Sequence, residues 1–200
     1  MLFRSGQAQQ VAPPRDAGTR VLRTAPLQFS PVDPRTLFYA TNSLWKTQTG
    51  GTTWTQISPD LSRDTWDPPA TIGVYRSAPT ARPSQRGVIY AIAPSPIDPN
   101  LIWAGTDDGL IHVTRNGGTN WTNVTPGQLV PWAKVSILEA SHFDPNTAYA
   151  AINTLRLDDL RPHILRTRDG GRSWTEIVRG LPDGGVINVV REDKSEEHTS

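Results

Sequence analysis

The sequence predicts an all-β fold made of repeated four-stranded antiparallel sheets, and three observations carry that prediction. Three segments align without gaps around a Gly-Gly pair followed three residues later by Trp: TQTGGTTWT at 47–55, TRNGGTNWT at 114–122 and TRDGGRSWT at 167–175. Upstream of each stands an Asp-Pro pair and then an apolar run: Asp33-Pro34 before Leu37-Phe38-Tyr39-Ala40, Asp98-Pro99 before Leu101-Ile102-Trp103-Ala104, and Asp144-Pro145 before Ala148-Tyr149-Ala150. The composition, with 18 Pro, 16 Gly and 7 Trp, describes short strands punctuated by turns.

Strands laid on this frame fall at 27–29, 37–40, 44–46 and 54–57, then at 88–93, 101–105, 110–114 and 121–124, then at 135–140, 148–152, 164–167 and 174–178. Residues 186–190 open a further one. Equivalent tryptophans, Trp54, Trp121 and Trp174, recur at spacings above the roughly 40 to 50 residues of familiar propeller repeats, the excess being loop insertion. Residues 21–193 therefore read as a partial β-propeller: blades at about 26–58, 88–125 and 134–178 and the first strand of a fourth within 186–193, preceded by an interblade or irregular segment at 1–20.

Each repeated turn has a mechanical rationale. Gly50-Gly51, Gly117-Gly118 and Gly170-Gly171 permit positive φ without a Cβ clash, while Thr47, Thr114 and Thr167 and the residues two further on can hydrogen-bond the turn backbone. Trp54, Trp121 and Trp174 then supply apolar surface to fill the wedge between neighbouring blades, worth about 2–3 kcal/mol each when well buried.

The stretch 167–174, Thr-Arg-Asp-Gly-Gly-Arg-Ser-Trp, resembles the Asp-box, or BNR, motif of Ser/Thr-x-Asp-x-Gly-x-x-Trp type. Asn116 stands at the aspartate position in the second copy and Thr49 in the first, which predicts a weaker side-chain lock there than at Asp169. With the Asp-Pro elements, the phrases TQISPDL and IWAGTDDGLIHVTRNGGTNWTNVTP resemble large bacterial proteins carrying the sortilin-like (VPS10) propeller, often labelled glycosyl hydrolase; the likeness covers about residues 20–193. Asp-boxes occur in sialidases, xyloglucan-cleaving hydrolases, photosystem assembly factors and sortilin-type receptors, so the motif speaks for fold and not for chemistry. The resemblance implies an extracellular or periplasmic protein and places the box at the outer rim of a blade, away from any catalytic centre. Asp169 is therefore structural on this reading.

Charge and composition narrow the functions. Twenty Lys and Arg against 19 Asp and Glu leave no basic surplus for a phosphate backbone or an anionic membrane surface, so nucleic acid is not an expected partner. The absence of Cys removes disulfides, thiolate catalysis and Cys-ligated zinc. Residues 1–16 hold no apolar stretch long enough for a signal peptide or a membrane span.

No catalytic centre is legible. Glycoside hydrolysis usually needs two opposed carboxylates about 5–10 Å apart. The insertion at 58–87 offers Asp64, Trp66 and Asp67 with Arg63, Arg76, Arg82 and Arg86, a speculative ligand loop with a Trp platform suited to a sugar, or else a solvated Pro-rich loop. Asp107-Asp108-Gly109 reads as a strand-connecting turn, and Asp158-Asp159 in 157–162 lacks the D-x-D-x-D-G spacing of a calcium loop. His112, His142 and His163 lack zinc-site spacing, and the scattered arginines do not map onto a sialidase cluster. No cofactor or metal is expected.

The expected function is a noncatalytic exported propeller module that binds a protein, peptide or glycan through its loop face. The alternatives are a secreted sialidase- or xyloglucanase-like hydrolase whose catalytic residues lie on other blades, and a structural assembly scaffold. The final Ser195-Glu196-Glu197-His198-Thr199-Ser200 matches the translation of a short-read sequencing adapter, so 194–200 is expected to be a non-native tail on a truncated chain.

Overall fold

Residues 11–77 and 87–193 are described by a computed structural model. Residues 1–10, Arg82 and Arg86 of the insertion, and the 194–200 tail lie outside the described residues.

Twelve strands form three separate four-stranded sheets, each antiparallel and each in simple chain order. The first holds β1 (Leu27–Phe29), β2 (Leu37–Ala40), β3 (Leu44–Thr47) and β4 (Thr55–Gln56). The second holds β5 (Ile89–Pro94), β6 (Ile102–Thr106), β7 (Ile111–Thr114) and β8 (Thr122–Asn123). The third holds β9 (Lys134–Ala140), β10 (Ala148–Asn153), β11 (His163–Thr167) and β12 (Thr175–Glu176). This is a partial β-propeller, with every sheet where the repeat predicts it and bounds within two residues of the expected ones.

The middle sheet and the first bury different patterns. All five residues of β6, in the middle sheet, are buried, because both faces are covered. In the first sheet β2 alternates half-buried and buried, and β1 is exposed at all three positions. The core accordingly divides into two interblade wedges. One joins Phe38, Ala40 and Leu44 to Ile89, Ile92 and Ile102, with Trp121 packed against it; the other joins Trp103, Ile111 and Val113 to Val135, Leu138, Ala150 and Leu165, with Trp174 packed against it. Fully buried Trp103 meets Trp174 edge-on at 6.0 Å. Gly105 lets β6 approach β9, since a Cβ there would lie 2.4 Å from Val135 Cγ1.

Residues 186–190, expected as the opening strand of a fourth sheet, make no ladder hydrogen bonds among the described residues. A strand exists through its partner, and here the segment is tied down by side chains instead. The Glu192 carboxylate accepts hydrogen bonds from Ser141 Oγ (2.8 Å), the His142 amide (2.5 Å) and the Tyr149 hydroxyl (3.2 Å), and Asn188 accepts one from Asn153 (2.7 Å).

The wedge geometry sets a stringent demand at one glycine. Gly118 has φ +102° and a Cβ there would sit 2.5 Å from the Ile57 carbonyl oxygen. Gly118→Ala should lower unfolding stability in urea by at least about 1 kcal/mol, whereas Gly127→Ala should stay within about 0.5 kcal/mol of the parent, as a Cβ at Gly127 meets nothing within 4 Å. Equal midpoints for the two variants would contradict the tight approach.

Candidate functional site

The alternation of strands gives each sheet two edges with different character. The β1–β2 and β3–β4 turns and their equivalents lie at one edge; the β2–β3 turns and the connections between sheets lie at the other. The Gly-Gly turns occupy the first edge and the described part of the insertion, 58–77, the second.

At the turn edge the same cage is built three times. The hydroxyl of Thr47, Thr114 or Thr167 accepts from two backbone amides, at Thr49 and Gly51 (3.2 and 3.1 Å), Asn116 and Gly118 (3.4 and 3.0 Å), and Asp169 and Gly171 (3.4 and 2.9 Å). The side chain of Thr49, Asn116 or Asp169 then accepts from the amide of Thr53, Asn120 or Ser173, at 2.9 Å in all three copies. The paired glycines carry positive φ in every copy, as expected. The weaker lock expected at Thr49 and Asn116 is not seen in this backbone contact: hydroxyl and amide oxygens accept from the same amide as the carboxylate does. What Asp169 adds is a second oxygen, which accepts from the Ser173 hydroxyl at 2.6 Å. That hydroxyl first, and the Ser173 amide next, hold the Asp169 carboxyl down to about 2.

A second repeated turn shares this edge. Ser30, Ser95 and Ser141 accept from the amides two and three residues on, and Asp33, Asp98 and Asp144 accept from the amide two residues further. The Thr36 hydroxyl holds the Asp33 carboxyl below its ordinary range, and the Asn146 amide does most for Asp144. The sequence reading found the Asp-Pro pairs but missed the Ser three residues before each Asp, although that spacing is visible in all three copies.

The tryptophans join sheet to sheet. Trp121 Nε1 donates to the Ile57 carbonyl at 2.7 Å and Trp174 Nε1 to the Val124 carbonyl at 2.8 Å, each acceptor lying just beyond the outer strand of the preceding sheet. Trp54 Nε1 donates to the Val11 carbonyl at 2.9 Å. Val11-Ala12-Pro13 thus takes the place of Ile57-Ser58-Pro59 and Val124-Thr125-Pro126, a likeness in the sequence that the repeat search passed over.

The opposite edge is the candidate site, because there the insertion leaves its own sheet and crosses the second. Arg20 anchors its base, donating to Asp60 (2.6 Å) and Ser62 (2.8 Å). Burial opposes the charge on Asp60, but the hydrogen bonds from Ser62 and Arg20 outweigh it and keep that carboxyl below its usual range. Fully buried Asp108 accepts from the Arg63 amide at 2.9 Å and from the Thr106 hydroxyl at 2.5 Å, while Arg63 Nε donates to the Asp108 carbonyl. A 3-10 segment, Ala70–Ser77, follows, kinked at Gly73 with φ 62°. Thr71 Oγ1 donates to the Arg156 carbonyl at 2.6 Å, and Trp66 meets Trp132 edge-on at 5.4 Å. Arg156, in the 3-10 turn Leu155–Leu157 of the third sheet, reaches back to the Asp107 carbonyl and lies over the Trp132 ring. Burial pushes the Asp107 carboxyl up and His112 down.

The speculative ligand residues are only partly brought together. Trp66 Nε1 donates to the Arg76 carbonyl at 3.2 Å, so its ring is a half-buried pin between the insertion and Trp132 and not an open platform. Asp64, Asp67 and Arg76 are exposed. Asp107-Asp108-Gly109 is a turn, as expected, with Gly109 at φ 90°. Asp108 was missed as the residue that seats the insertion; burial of a turn aspartate leaves no mark in one sequence. Nearby, on the third sheet, His163 stands between Glu176 (Nδ1 to Oε1, 2.7 Å) and Asp159 (Nε2 to Oδ2, 3.2 Å), and Arg161 grips Asp159 through both oxygens at 2.9 and 2.7 Å. Among the described residues no group of three or more acidic, His or Cys side chains has the arrangement of a metal site, and no helix is long and apolar enough to cross a membrane.

No protein-family model matches the chain, and no curated protein matches it either. Solved structures do. YCF48 bound to D1 peptide superposes with a TM-score of 0.50 at 18% identity, covering 88% of this chain and 48% of that one. YCF48 from Cyanidioschyzon merolae gives 0.52 at 18% identity over 86% of this chain and 40% of that one. An ancestral GH74 enzyme gives 0.53 at 18% identity over 85% of this chain and 20% of that one. The chain spans less than half the length of each, and at these identities the likeness is one of fold.

The turn cage makes a pH-dependent prediction. A carboxyl held at about 2 in the folded chain, against about 3.9 when unfolded, contributes stability that is complete above the unfolded value and lost as pH falls through the folded one. Asp169→Asn should therefore lower the urea midpoint at about pH 6 and converge with the parent toward about pH 2. A constant difference across that range would contradict the ionic contribution.

Proposed function

We propose that the chain is an exported, Asp-box-type propeller module that binds a protein, peptide or glycan without turning it over, and that it does so at the edge carrying the insertion. The observation that carries this reading is the crossing of the second sheet: Thr71 to Arg156 and Trp66 to Trp132 join an insertion after the first sheet to connections flanking the third. The arrangement combines a braced backbone with exposed Asp64, Asp67 and Arg76, which suits recognition by rigid loops. The turn edge, by contrast, spends its Thr, Asn and Asp oxygens on its own backbone. That YCF48 is solved with a peptide bound supports a peptide partner for a propeller of this kind.

One observation favours a second reading, part of a glycoside hydrolase of the GH74 kind. Asp107 sits at the loop edge with its carboxyl pushed up by burial, the condition of a general acid. A single raised acid does not make the pair that hydrolysis requires.

The readings separate in one set of measurements on the full chain. Nuclear magnetic resonance titration with a pool of random peptides and with xyloglucan oligosaccharides should shift amides near 63–76, 107–110 and 128–132, with the sugar recovered intact. Release of reducing ends that is abolished by Asp107→Asn would overturn the noncatalytic reading, and shifts confined to the Gly-Gly turns would overturn the choice of edge.

A further inference from the structure

A cavity of about 230 Å³ opens at the loop edge between the connection 125–133 and the third sheet. Its walls are Leu129, Val130, Ile152 and Leu165, and its rim carries Asp159, Arg161, His163 and Glu176. The surroundings are unusually apolar for solvent-facing chain: Val130 is 51% exposed, and Leu155 and Leu160 on the β10–β11 connection are 56% and 49% exposed. Exposed apolar groups gathered around a polar-rimmed cavity mark an interaction site.

Size and charge select the occupant. Sites for whole drug-sized ligands occupy roughly 300–1,000 Å³, so this cavity accepts a side chain and not a stretch of glycan. Two carboxylates face Arg161 and His163 across the rim; the Asp183 carboxylate also acts on Arg161, and the connection 125–133 contributes the neutral Gln128. Both nitrogens of His163 face carboxylate oxygens, and Arg161 donates to both oxygens of Asp159. Two carboxylates against the one arginine leave the rim acidic.

We propose that this cavity is a subsite for a lysine side chain of a bound peptide, the alkyl stem lying along Leu129, Val130, Ile152 and Leu165 and the ammonium meeting Glu176 and Asp159. The proposal rests on the loop edge being the binding face, and it narrows the partner to a peptide with lysine between apolar residues.

The probe is the capped pentapeptide Gly-Leu-Lys-Leu-Gly, with norleucine in place of lysine as its neutral counterpart. Amide shifts should centre on Gln128, Leu129, Val130, Arg161 and Glu176, and the lysine peptide should bind at least about 5-fold more tightly than the norleucine one. Glu176→Gln should remove most of the preference while leaving the spectrum of the free protein unchanged elsewhere; Asp169→Asn, on the opposite edge, should leave it intact. Equal binding of the two peptides, or a preference untouched by Glu176→Gln, overturns the lysine subsite. If peptides still shift amides near 63–76, the binding-module reading survives that failure; if nothing binds at the loop edge, both fall.

Discussion

Everything else in this molecule depends on how one sheet grips the next. A Gly-Gly turn brings its second glycine against Ile57 or Val124 of the preceding sheet, and the Trp three residues later donates its indole N–H to the carbonyl of that same residue. The glycine sets the separation and the indole sets the register. Without the first, a Cβ would collide with the neighbour's backbone or side chain; without the second, a carbonyl at the rim of the wedge would lose its donor. Both wedges of the core are closed at their outer end by this pair of contacts, which is why Trp121 and Trp174 pack each against its own cluster.

That arrangement divides labour between the two edges. The turn edge is rigid because its polar side chains are consumed locally, each Thr hydroxyl holding two amides and each following acceptor a third. It has little left to offer a ligand. The loop edge carries the long connections, and there long-range pairs decide the shape: Arg20 with Asp60, Arg63 with Asp108, Thr71 with Arg156. Variation in loop length is tolerated at that edge because the sheets are already held together at the other.

The fold was legible because the repeat writes the same contacts three times. Thr, Gly-Gly and Trp at fixed spacing, with an Asp-Pro turn upstream, fix strand order and connections from local chemistry alone. Two local signals were present and overlooked, the Ser before each Asp-Pro and the Val-Ala-Pro at 11–13 that copies the end of an outer strand. The loop edge was much less legible. Trp66 looked like a sugar platform, yet its partner Trp132 lies far along the chain, and Asp108 looked like an ordinary turn residue until Arg63 closed over it. Contacts made once, between unrepeated segments, leave no pattern for a single sequence to reveal. The segment at 186–190, expected to open a further blade, pairs with none of the three sheets and is held to the third by side chains.

The interblade contact can be tested through the indole protons themselves. In hydrogen-exchange measurements on the full chain, the Nε1–H groups of Trp121 and Trp174 should exchange slowly and together, since both open only when sheets separate, and Trp54, bonded to the exposed Val11, should exchange faster. Rapid exchange at Trp121 and Trp174 in a protein whose strand amides remain protected would contradict the account, because the sheets would then be held together by something other than this grip.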